Sequence, residues 1–379
     1  MENNNIYDRY QRQITLKEFG LAGQEKLSTA KVLVVGSGGL GCPALQYLAA
    51  AGVGTIGIID FDIVELSNLQ RQTLYNVTDI GRPKAALAAE KLRLFNPDIQ
   101  VHVHEVRLDS KNAWELISEY DIVLDGTDNF ATRYLVNDAC VLLGKPLVYG
   151  AILRFEGQVG VLNLRDKHHR YKTNYRDLFP KPPLHSTVPS CNEAGVLGVL
   201  PGIIGIMQAT EVIKIITGIG EPLCNKILSY NVLNNSFYEF NISPAKNTDA
   251  FFPKSKSEFE NFDYEWYCGA KQDPLEITIG DFEQSRANEE ITIIDVRETG
   301  ELPSVNEFSF IQIPLSRFGI VIEKHLIKNK TIIFCQSGKR SLTAAKMLKE
   351  KFPESSVYSL KGGIEEWKKH QIRRLVEKK

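Results

Sequence analysis

The chain carries a glycine-rich turn of a kind that can bind a phosphate group. The turn GSGGLG, from Gly36 to Gly41, leaves the apolar run KVLVV and enters the helix-like stretch CPALQYLAAAG, and the next apolar run, TIGII, ends on Asp60. Gly36, Gly38, Gly39 and Gly41 would let a phosphate approach the backbone at a helix N-terminus. Asp60 would accept the ribose hydroxyls. The pattern predicts a nucleotide site for NAD or ATP, although the glycines could also form a turn that binds no nucleotide.

Three basic residues and one acid distinguish the two nucleotides. Arg12 lies in RYQRQI, Arg71 in DFDIVELSNLQRQTLY, Lys84 in GRPKA and Asp128 in VLDGTDN. Hydride transfer does not need these cations, whereas attack on the α-phosphate of ATP builds negative charge that cations and a magnesium carboxylate stabilise. The residues therefore favour ATP, with Mg2+ held by Asp128. Other interpretations stay open: Arg71 and Lys84 could be solvated surface charges, and Asp128 could cap a helix beginning at Phe130.

Together these motifs resemble those of the MoeB/ThiF family, the bacterial relatives of ubiquitin-activating enzymes, from Arg9 to about Phe240. Members of that family adenylate the C-terminal glycine of a small ubiquitin-like sulfur carrier. The resemblance implies that the active unit is a homodimer in which Arg12 reaches into the neighbouring subunit's site. It also implies that Asp128 holds Mg2+, that Asn129 lies beside it, and that the following residues line the ATP site: Gly39, Asp60, Asn68, Arg71 and Lys84.

A cysteine, Cys191, follows a stretch rich in proline and charge, from Asp166 to Ser190, that is typical of a surface loop. In the family, a cysteine at this place forms a thioester or persulfide with the activated carrier. A helix beginning near Gly195 would favour its thiolate. The alternative is a small buried hydrophobic side chain. For Cys42, at the start of the nucleotide helix, we expect a structural role.

The resemblance breaks at a structural zinc that many family members bind through two CxxC pairs. Asn174 and Asp177 occupy the first pair of positions, in NYRDLFP, and Glu265 and Cys268 occupy the second, in EWYCG. One cysteine cannot complete a tetrahedral zinc site, so we predict that zinc is not bound. A flexible loop offers no fixed geometry to the histidines that could replace the missing ligands, which are His168, His169 and His185.

Composition narrows the class of protein. The 379 residues suffice for two domains, and 45 basic against 46 acidic residues argue against nucleic-acid binding through bulk charge. Six scattered cysteines do not suggest a disulfide framework. We find neither an apolar run near the roughly 18 uncharged residues of a membrane span nor the apolar core of a signal peptide. We therefore predict a cytoplasmic protein without a membrane partner.

Alternating strand and helix patterns position the first set of motifs. Strand-like segments near residues 32–35, 55–60, 99–106, 122–125 and 147–151, with helical patterns between them, predict an α/β fold with a mainly parallel, Rossmann-like sheet. Runs at 154–164 and 226–240 predict antiparallel edge strands, and a long buried helix is expected between them at about 195–216. We assign residues 1–240 to an adenylation domain and the polar, irregular stretch 241–274 to a linker.

A second, smaller α/β domain, residues 275–379, is built around Cys335. Strand-like runs ITIIDVR, SFIQIP, TIIFC and SVYSL alternate with helical patterns that start near Ser341 and Gly363. The backbone after Cys335 must curl into a helix, so that N–H groups, the helix dipole and Arg340 would stabilise a thiolate or persulfide. A cysteine phosphatase uses the same cradle, but its loop holds one residue more than the four between Cys335 and Arg340.

This loop is similar to the CxxGxR active-site loop of rhodaneses, and the phrases IIDVRE and LKGGIEEW are also rhodanese-like. The resemblance implies a sulfur-transfer loop that consists of Cys335, Gln336, Ser337, Gly338, Lys339 and Arg340. The usual GHIPGA stretch is missing, and SFIQIPLSRF stands in its place. This departure leaves the pocket wall and the sulfur donor open, but not the nucleophile.

Both domains on one chain imply a two-step reaction. ATP and the carrier's carboxylate would form an acyl-adenylate and pyrophosphate, and a Cys335 persulfide would then deliver sulfur to give a thiocarboxylate. The implied partners are a MoaD- or ThiS-like sulfur carrier and a sulfur donor such as a cysteine desulfurase, and the pathway is molybdopterin or thiamine biosynthesis. Two other classes stay open as alternatives, a noncatalytic carrier-binding scaffold and a nicotinamide-dependent oxidoreductase.

Overall fold

The chain folds into two compact units, Met1–Ala270 and Lys271–Lys379. The computed structural model describes residues 7–165, 171–183, 195–245, 252–268, 273–288, 290–321 and 330–376. Each unit has its own sheet and its own hydrophobic core.

An eight-stranded sheet forms the first unit. Its order is β3-β2-β1-β4-β5-β6-β7-β8, with parallel pairing from β3 to β5 and antiparallel pairing from β5 to β8. The strands are β1 (Lys31–Val35), β2 (Thr55–Ile59), β3 (Gln100–His104), β4 (Ile122–Asp125), β5 (Leu147–Leu153), β6 (Glu156–Leu162), β7 (Lys226–Asn231) and β8 (Ser236–Asn241). The mainly parallel Rossmann-like sheet and its antiparallel edge strands are therefore confirmed.

Helices cover both faces of this sheet, because parallel neighbours need crossover connections. In chain order they are α1 (Gln11–Ile14), α2 (Gly20–Thr29), α3 (Gly41–Ala51), α4 (Lys84–Phe95), α5 (Ala113–Ser118), α6 (Phe130–Leu143), α7 (Tyr175–Leu178) and α8 (Val199–Thr217). Buried residues of α3 and α4 pack in one core cluster, and those of α5 and α6 pack in another. Neighbouring strand residues, such as Leu33 and Val34, alternate between the two clusters, as the pleat requires.

Among the described residues, α8 is the one helix long and apolar enough to cross a membrane by length and composition. The helix packs against α2, α3, β5 and β6, with Leu200, Ile204 and Val212 buried. The long buried helix predicted from the sequence therefore exists, and these contacts are those of a core helix. The cytoplasmic location stays a prediction.

Part of the stretch expected to be a linker folds onto the first unit. Residues 252–268 include two short helices, α9 (Lys256–Glu260) and α10 (Tyr264–Tyr267), that pack against α6. Phe259 and Tyr264 are buried there, although their neighbours are polar and exposed. The first compact unit thus extends beyond residue 240, because a few spaced aromatic side chains anchor a segment of polar composition.

The second unit is a five-stranded parallel sheet of order β11-β10-β12-β13-β9. Its strands are β9 (Glu276–Ile277), β10 (Ile291–Asp295), β11 (Ile311–Gln312), β12 (Lys330–Phe334) and β13 (Val357–Leu360). Its helices are α11 (Ile279–Asn288), α12 (Leu315–Val321), α13 (Lys339–Lys351) and α14 (Gly363–Val376). The predicted open parallel sheet is confirmed. Because β10 and β12 are adjacent and parallel, the residues that follow them lie at the same edge.

Candidate active sites

A cavity of about 560 Å³ lies at the carboxyl ends of β1, β2 and β4. The connections leave β1 in opposite directions, to β2 on one side and later to β4 on the other, and such a switch point is where open α/β sheets bind ligands. The cavity brings together eight residues that the sequence singled out: Gly36, Gly38, Gly39, Asp60, Arg71, Lys84, Asp128 and Asn129.

Two glycines of the turn have different reasons to lack a side chain. A Cβ at Gly41 would lie 1.9 Å from the carbonyl oxygen of Gly36, so Gly41 is required for the tight turn and does not line the cavity. A Cβ at Gly38 would have only Gln72 Nε2 near it, at 3.6 Å. Gly38 lines the cavity, so a side chain at this position would enter the cavity. The helix α3 begins at Gly41, but Cys42 N donates to Gly38 O at 2.9 Å and Pro43 has no N–H, so the N–H groups that can bind an anion are those of the glycine turn that precede Cys42.

Asp60 is oriented by the turn it faces. Its Oδ2 accepts hydrogen bonds from Ser37 N at 2.8 Å and Ser37 Oγ at 2.9 Å, and its Oδ1 accepts from Asp62 N at 2.9 Å. The hydroxyl of buried Tyr75 donates to Ser37 O at 3.0 Å. A carboxylate accepts about four hydrogen bonds, so Asp60 keeps acceptor capacity for a ribose hydroxyl.

The cations of the cavity are held by short contacts. Lys84 is the first residue of α4; its side chain is 7% exposed and its Nζ lies 3.0 Å from Asp62 Oδ2. Arg71 is half-buried and donates from Nη1 to Ser67 O at 3.1 Å. Lys84 is therefore a buried cation at the cavity rather than a solvated surface charge.

The helix cap next to the cavity belongs to Asn129 and not to Asp128. Asn129 is the N-cap of α6, and its Oδ1 accepts from Thr132 N at 2.9 Å. Asp128 is exposed, and its carboxylate has no hydrogen bond or ion pair within the part of the chain that the structure describes. Mg2+ bound to a nucleotide typically takes one or two carboxylates plus phosphate oxygens and water. A cavity-facing carboxylate without other partners fits that role.

Two buried polar side chains of the cavity were missed by the sequence reasoning. Arg133, one helical turn after Asn129, is 8% exposed, donates from Nη2 to Thr127 O at 2.8 Å and lies 5.3 Å from the centre of the Tyr149 ring. Gln72 is 4% exposed, and its Oε1 has no partner among the described residues. Only the adjacency of Gln72 to Arg71 could have indicated it.

Arg12, Asn68 and Cys42 were also named from the sequence, and none of them lines the cavity. Arg12 is exposed on α1 and does not line the cavity, and Asn68 is buried in a short helical turn where its Oδ1 accepts from Glu65 N at 3.2 Å. Cys191 lies outside the described residues. Cys42 is buried, and burial raises the pKa of its thiol to about 12, in keeping with the structural role expected for it.

Three of the four positions of the family's zinc site have other partners here. Asn174 caps α7, and the Asp177 carboxylate accepts from Asn174 N and Ala245 N, each at 2.8 Å. Glu265 binds Arg107 at 2.5 Å, and Cys268 is buried. The described residues contain no group of three or more His, Cys, Asp or Glu that could hold a metal ion. His168, His169 and His185 lie outside the described residues, and the absence of zinc stays a prediction.

An ion pair fastens α10 to the rest of the first unit. Arg176 donates from Nε and Nη2 to the two carboxylate oxygens of Asp138, at 2.8 and 2.7 Å, and from Nη1 to Tyr267 Oη at 2.9 Å. Tyr264 donates its hydroxyl to the same carboxylate at 3.0 Å. The Arg176 and Asp138 side chains are 1% and 0% exposed, and four rings surround the guanidinium, those of Tyr134, Phe252, Phe262 and Tyr267.

The second unit presents Cys335 in a curled loop. The residue follows β12 and is buried, and Ser341 Oγ donates to its Sγ at 3.5 Å. At the N-terminus of α14, Ile364 N and Glu365 N donate to the carbonyls of Cys335 and Gln336, at 2.9 and 3.2 Å. The loop thus runs from the end of a strand into α13, as the sequence predicted.

Arg340 does not face the sulfur alone. Its Nη1 and Nη2 bind the two carboxylate oxygens of Glu301, each at 2.6 Å. A carboxylate from the segment after β10 therefore pairs with this guanidinium, which also interacts with the Cys335 thiol, and the stabilisation of a Cys335 thiolate by Arg340 stays a prediction.

Comparison with known proteins identifies both units. Residues 10–251 match the model of the ThiF family, and residues 278–370 match that of the rhodanese-like domain. The chain belongs to the ThiF family. It carries a rhodanese-like domain in its C-terminal part, so the resemblance on which the sequence analysis relied is confirmed.

Two relatives of this ThiF-family chain match it over nearly its whole length, and a third matches 70% of it. "Probable adenylyltransferase/sulfurtransferase MoeZ" of Mycobacterium tuberculosis is 43% identical over 371 residues, 95% of this chain and 92% of the relative. "Adenylyltransferase and sulfurtransferase MOCS3" of Drosophila grimshawi is 38% identical over 96% of this chain and 84% of its own length. "Sulfur carrier protein adenylyltransferase" of Thermus thermophilus is 50% identical over 70% of this chain and 97% of its own length. The predicted enzyme class, adenylyltransferase with sulfurtransferase, is confirmed.

Solved structures support the fold of the first unit. E. coli MccB with MccA-N7isoASN matches with a TM-score of 0.55 and 23% identity, over 64% of this chain and 73% of that chain. At this identity the likeness shows the fold and nothing more.

Proposed function

We propose that the chain adenylates the C-terminal glycine of a ubiquitin-like sulfur-carrier protein and converts it to a thiocarboxylate with sulfur from a Cys335 persulfide. The carrier is MoaD- or ThiS-like, and the product serves molybdopterin or thiamine biosynthesis. The names of the relatives support the reaction class, and the Thermus thermophilus relative is named for acting on a sulfur carrier protein.

One observation carries the adenylation step: the cavity joins the glycine turn before α3 to buried or half-buried cations and to the Asp128 carboxylate, which has no partner among the described residues. Lys84, Arg71 and Arg133 line the same cavity as the glycine turn and Asp128. When the carrier's carboxylate oxygen attacks the α-phosphorus, the bond to the bridging oxygen breaks and pyrophosphate leaves with the electron pair. Cations fixed around the phosphates stabilise that charge before reaction, without reorganisation.

Magnesium would be held by Asp128, whose carboxylate the Asn129 cap leaves available. When bound, the ion supplies charge neutralisation at the phosphate oxygens. The residues of the chain have the other roles: Asp60 orients the ribose, the glycine turn before α3 holds a phosphate, and Asp62 keeps Lys84 in place.

The remaining wall of the cavity suits the carrier's tail. Beyond Asn129 it is lined by Tyr149, Ile152, Leu153, Tyr175 and Phe179. Such a lining favours an extended segment with small, uncharged side chains, because aromatic and aliphatic groups offer no partner to a charge. We assign this end to the carrier's C-terminal glycines.

Sulfur transfer requires a balanced sequence of steps. The outer sulfur of the Cys335 persulfide attacks the acyl carbon of the adenylate, the acyl–phosphate bond breaks, and AMP leaves. A thiolate then attacks the Cys335 sulfur of the resulting acyl disulfide, which releases the thiocarboxylate and forms a new disulfide. We propose Cys191 as that thiol, and an external thiol must reduce the disulfide afterwards. Carrying the donor on the same chain raises its local concentration, on the order of millimolar for a flexible linker.

Carrier-dependent exchange between pyrophosphate and ATP tests the first step. Asp128→Ala should abolish exchange with the fold intact, because the carboxylate acts mainly on the charge that develops in the transition state. The matched control is Glu90→Ala, which removes an exposed acid of α4 outside the cavity and should exchange as the wild type does. Exchange at the wild-type rate in Asp128→Ala would refute the assignment. Comparing MoaD-like and ThiS-like carriers in the wild type identifies the pathway.

A second assay separates the two steps. Cys335→Ser should keep pyrophosphate exchange and lose thiocarboxylate formation, since its nucleophile belongs to the sulfur step alone. Cys191→Ser should keep exchange and slow thiocarboxylate release. Normal thiocarboxylate formation by Cys335→Ser with the natural donor would show that the second unit is not the sulfur relay.

A further inference from the structure

We infer that Glu301 selects the sulfur donor: by pairing with Arg340 it makes the Cys335 loop accept sulfur from a persulfide in preference to the thiosulfate dianion. The inference rests on the proposed role of Cys335 and concerns which class of donor that residue accepts.

The Glu301 carboxylate is fixed before any donor arrives. Its Oε1 accepts from Glu298 N at 2.7 Å in addition to Arg340 Nη1, and Glu301 N donates to Glu298 O at 3.3 Å. Hydrogen bonds from Arg340 hold the pKa of Glu301 down, at about 2, so the carboxylate is charged at neutral pH.

The segment that carries Glu301 is anchored in turn by the DVR motif. Arg297 binds the buried Asp295 carboxylate through Nε at 3.0 Å and Nη2 at 2.7 Å, and its Nη1 donates to Pro303 O at 2.9 Å. The Arg297 guanidinium therefore has a structural role. It fixes the loop between β10 and β11, which carries Glu301. Because this loop is fixed, the Glu301 carboxylate is held next to Arg340 by the backbone that carries it.

The charges around the Cys335 loop nearly cancel. Lys339 and Arg340 are the cations of the loop, while Glu301 binds Arg340 and Glu365 accepts from Gln336 Nε2 at 2.7 Å. Lys339 is exposed and has no ion pair within the described part of the chain. A dianion gains twice as much as a monoanion from each available cation, so neutralising Arg340 penalises thiosulfate most.

Both donors load Cys335 by the same balanced step. The thiolate attacks the outer sulfur of the donor, the donor's S–S bond breaks, and the Cys335 persulfide forms. Thiosulfate releases sulfite, another dianion, whereas a persulfide releases one thiolate. The structure offers a guanidinium that is already paired with Glu301, which suits the smaller charge.

The test compares the two donors on the full chain. With thiosulfate and cyanide as substrates, Glu301→Gln should raise kcat/KM for thiocyanate formation roughly 10-fold, mainly by lowering KM. The rate should also become more sensitive to salt. Loading of Cys335 by cysteine persulfide, followed by mass, should change less than about threefold, because the smaller charge responds less to the freed cation. Glu301→Asp keeps a carboxylate to pair with Arg340 and should therefore keep the wild-type preference for cysteine persulfide over thiosulfate.

A double variant makes the charge argument specific. The double variant Arg340→Gln with Glu301→Gln should not show the increase in thiosulfate turnover expected for Glu301→Gln, because it lacks the guanidinium that Glu301→Gln frees. A purely structural effect of Glu301 would persist in the double variant. Unchanged or lower thiosulfate turnover in Glu301→Gln, with cysteine persulfide still loading Cys335, would overturn the inference and leave the proposed function standing. If neither donor loads Cys335 in the wild type, the proposed sulfur step fails and the inference fails with it.

Discussion

Replacing Arg176 with methionine should destabilise the first unit by about 3–5 kcal/mol, because it strands a buried carboxylate. Arg176 and Asp138 meet at 2.7 and 2.8 Å and are 1% and 0% exposed. At an effective dielectric constant of about 20 their attraction is roughly 6 kcal/mol, much of which offsets the desolvation of both ions. Removing one partner leaves the desolvation of the other without compensation, so the cost exceeds the net contribution of the pair.

Urea unfolding of the full chain, followed by tryptophan fluorescence, measures this loss. The transition of the second unit serves as an internal reference, since Arg176 lies outside it. The matched control is Arg107→Met, which breaks an ion pair whose side chains are 68% and 34% exposed and should cost less than about 1 kcal/mol.

A double-mutant cycle then isolates the pair. Arg176→Met combined with Asp138→Asn removes both charges and should be clearly more stable than the sum of the single variants predicts. If Arg176→Met costs no more than Arg107→Met, the ion pair does not fasten α10 to the first unit and our account of this segment is wrong.

Three further outcomes can be measured independently. Mixing Arg12→Ala with Asp128→Ala subunits should restore part of the pyrophosphate exchange if Arg12 acts across the dimer, and no recovery despite proven hybrids would place it in its own subunit. Metal analysis of protein purified without added zinc should find well under one zinc per chain; near-stoichiometric zinc that survives mild chelation would contradict this. Burial opposes ionisation of Asp79, but hydrogen bonds from Lys91 and Asn76 N outweigh it and lower the pKa of the Asp79 carboxyl. Asp79 therefore stabilises the fold above the unfolded pKa of about 3.9, and the difference in unfolding free energy between wild type and Asp79→Asn should shrink as pH falls below that value; a constant difference would refute the linkage.

The sequence by itself determined the architecture and the first set of cavity residues. Strands, a glycine turn and helix starts are local patterns, so the order of apolar runs around Gly36 and Asp60 already specified a parallel sheet with a phosphate site at its carboxyl edge. Lys84 begins α4 and Asp128 precedes α6, and both helices start at that edge of the sheet. The chain order therefore places both residues at the edge, and the family resemblance then predicted that they line one nucleotide site. Cys335 was predicted for the same reason, since its loop joins a strand to a helix.

Choices between adjacent residues needed the tertiary structure. Asp128 and Asn129 are both good helix caps, and only the backbone geometry at the start of α6 assigns the cap to Asn129 and leaves the Asp128 carboxylate to the cavity. Arg133 and Gln72 belong to no short pattern, and they line the cavity because of the direction in which α6 and the segment after Arg71 cross it.

Long-range pairing of charges was the other feature that the linear order could not reveal. Arg340 lies 39 residues from Glu301, and Arg176 lies 38 residues from Asp138. In each case the sequence showed a basic residue whose partner was undetermined, since an isolated charge carries no signal of which distant carboxylate will face it. The fold decides whether a cation is free to stabilise a substrate or is paired within the protein, because only the packed loops bring the opposite charge within hydrogen-bonding distance.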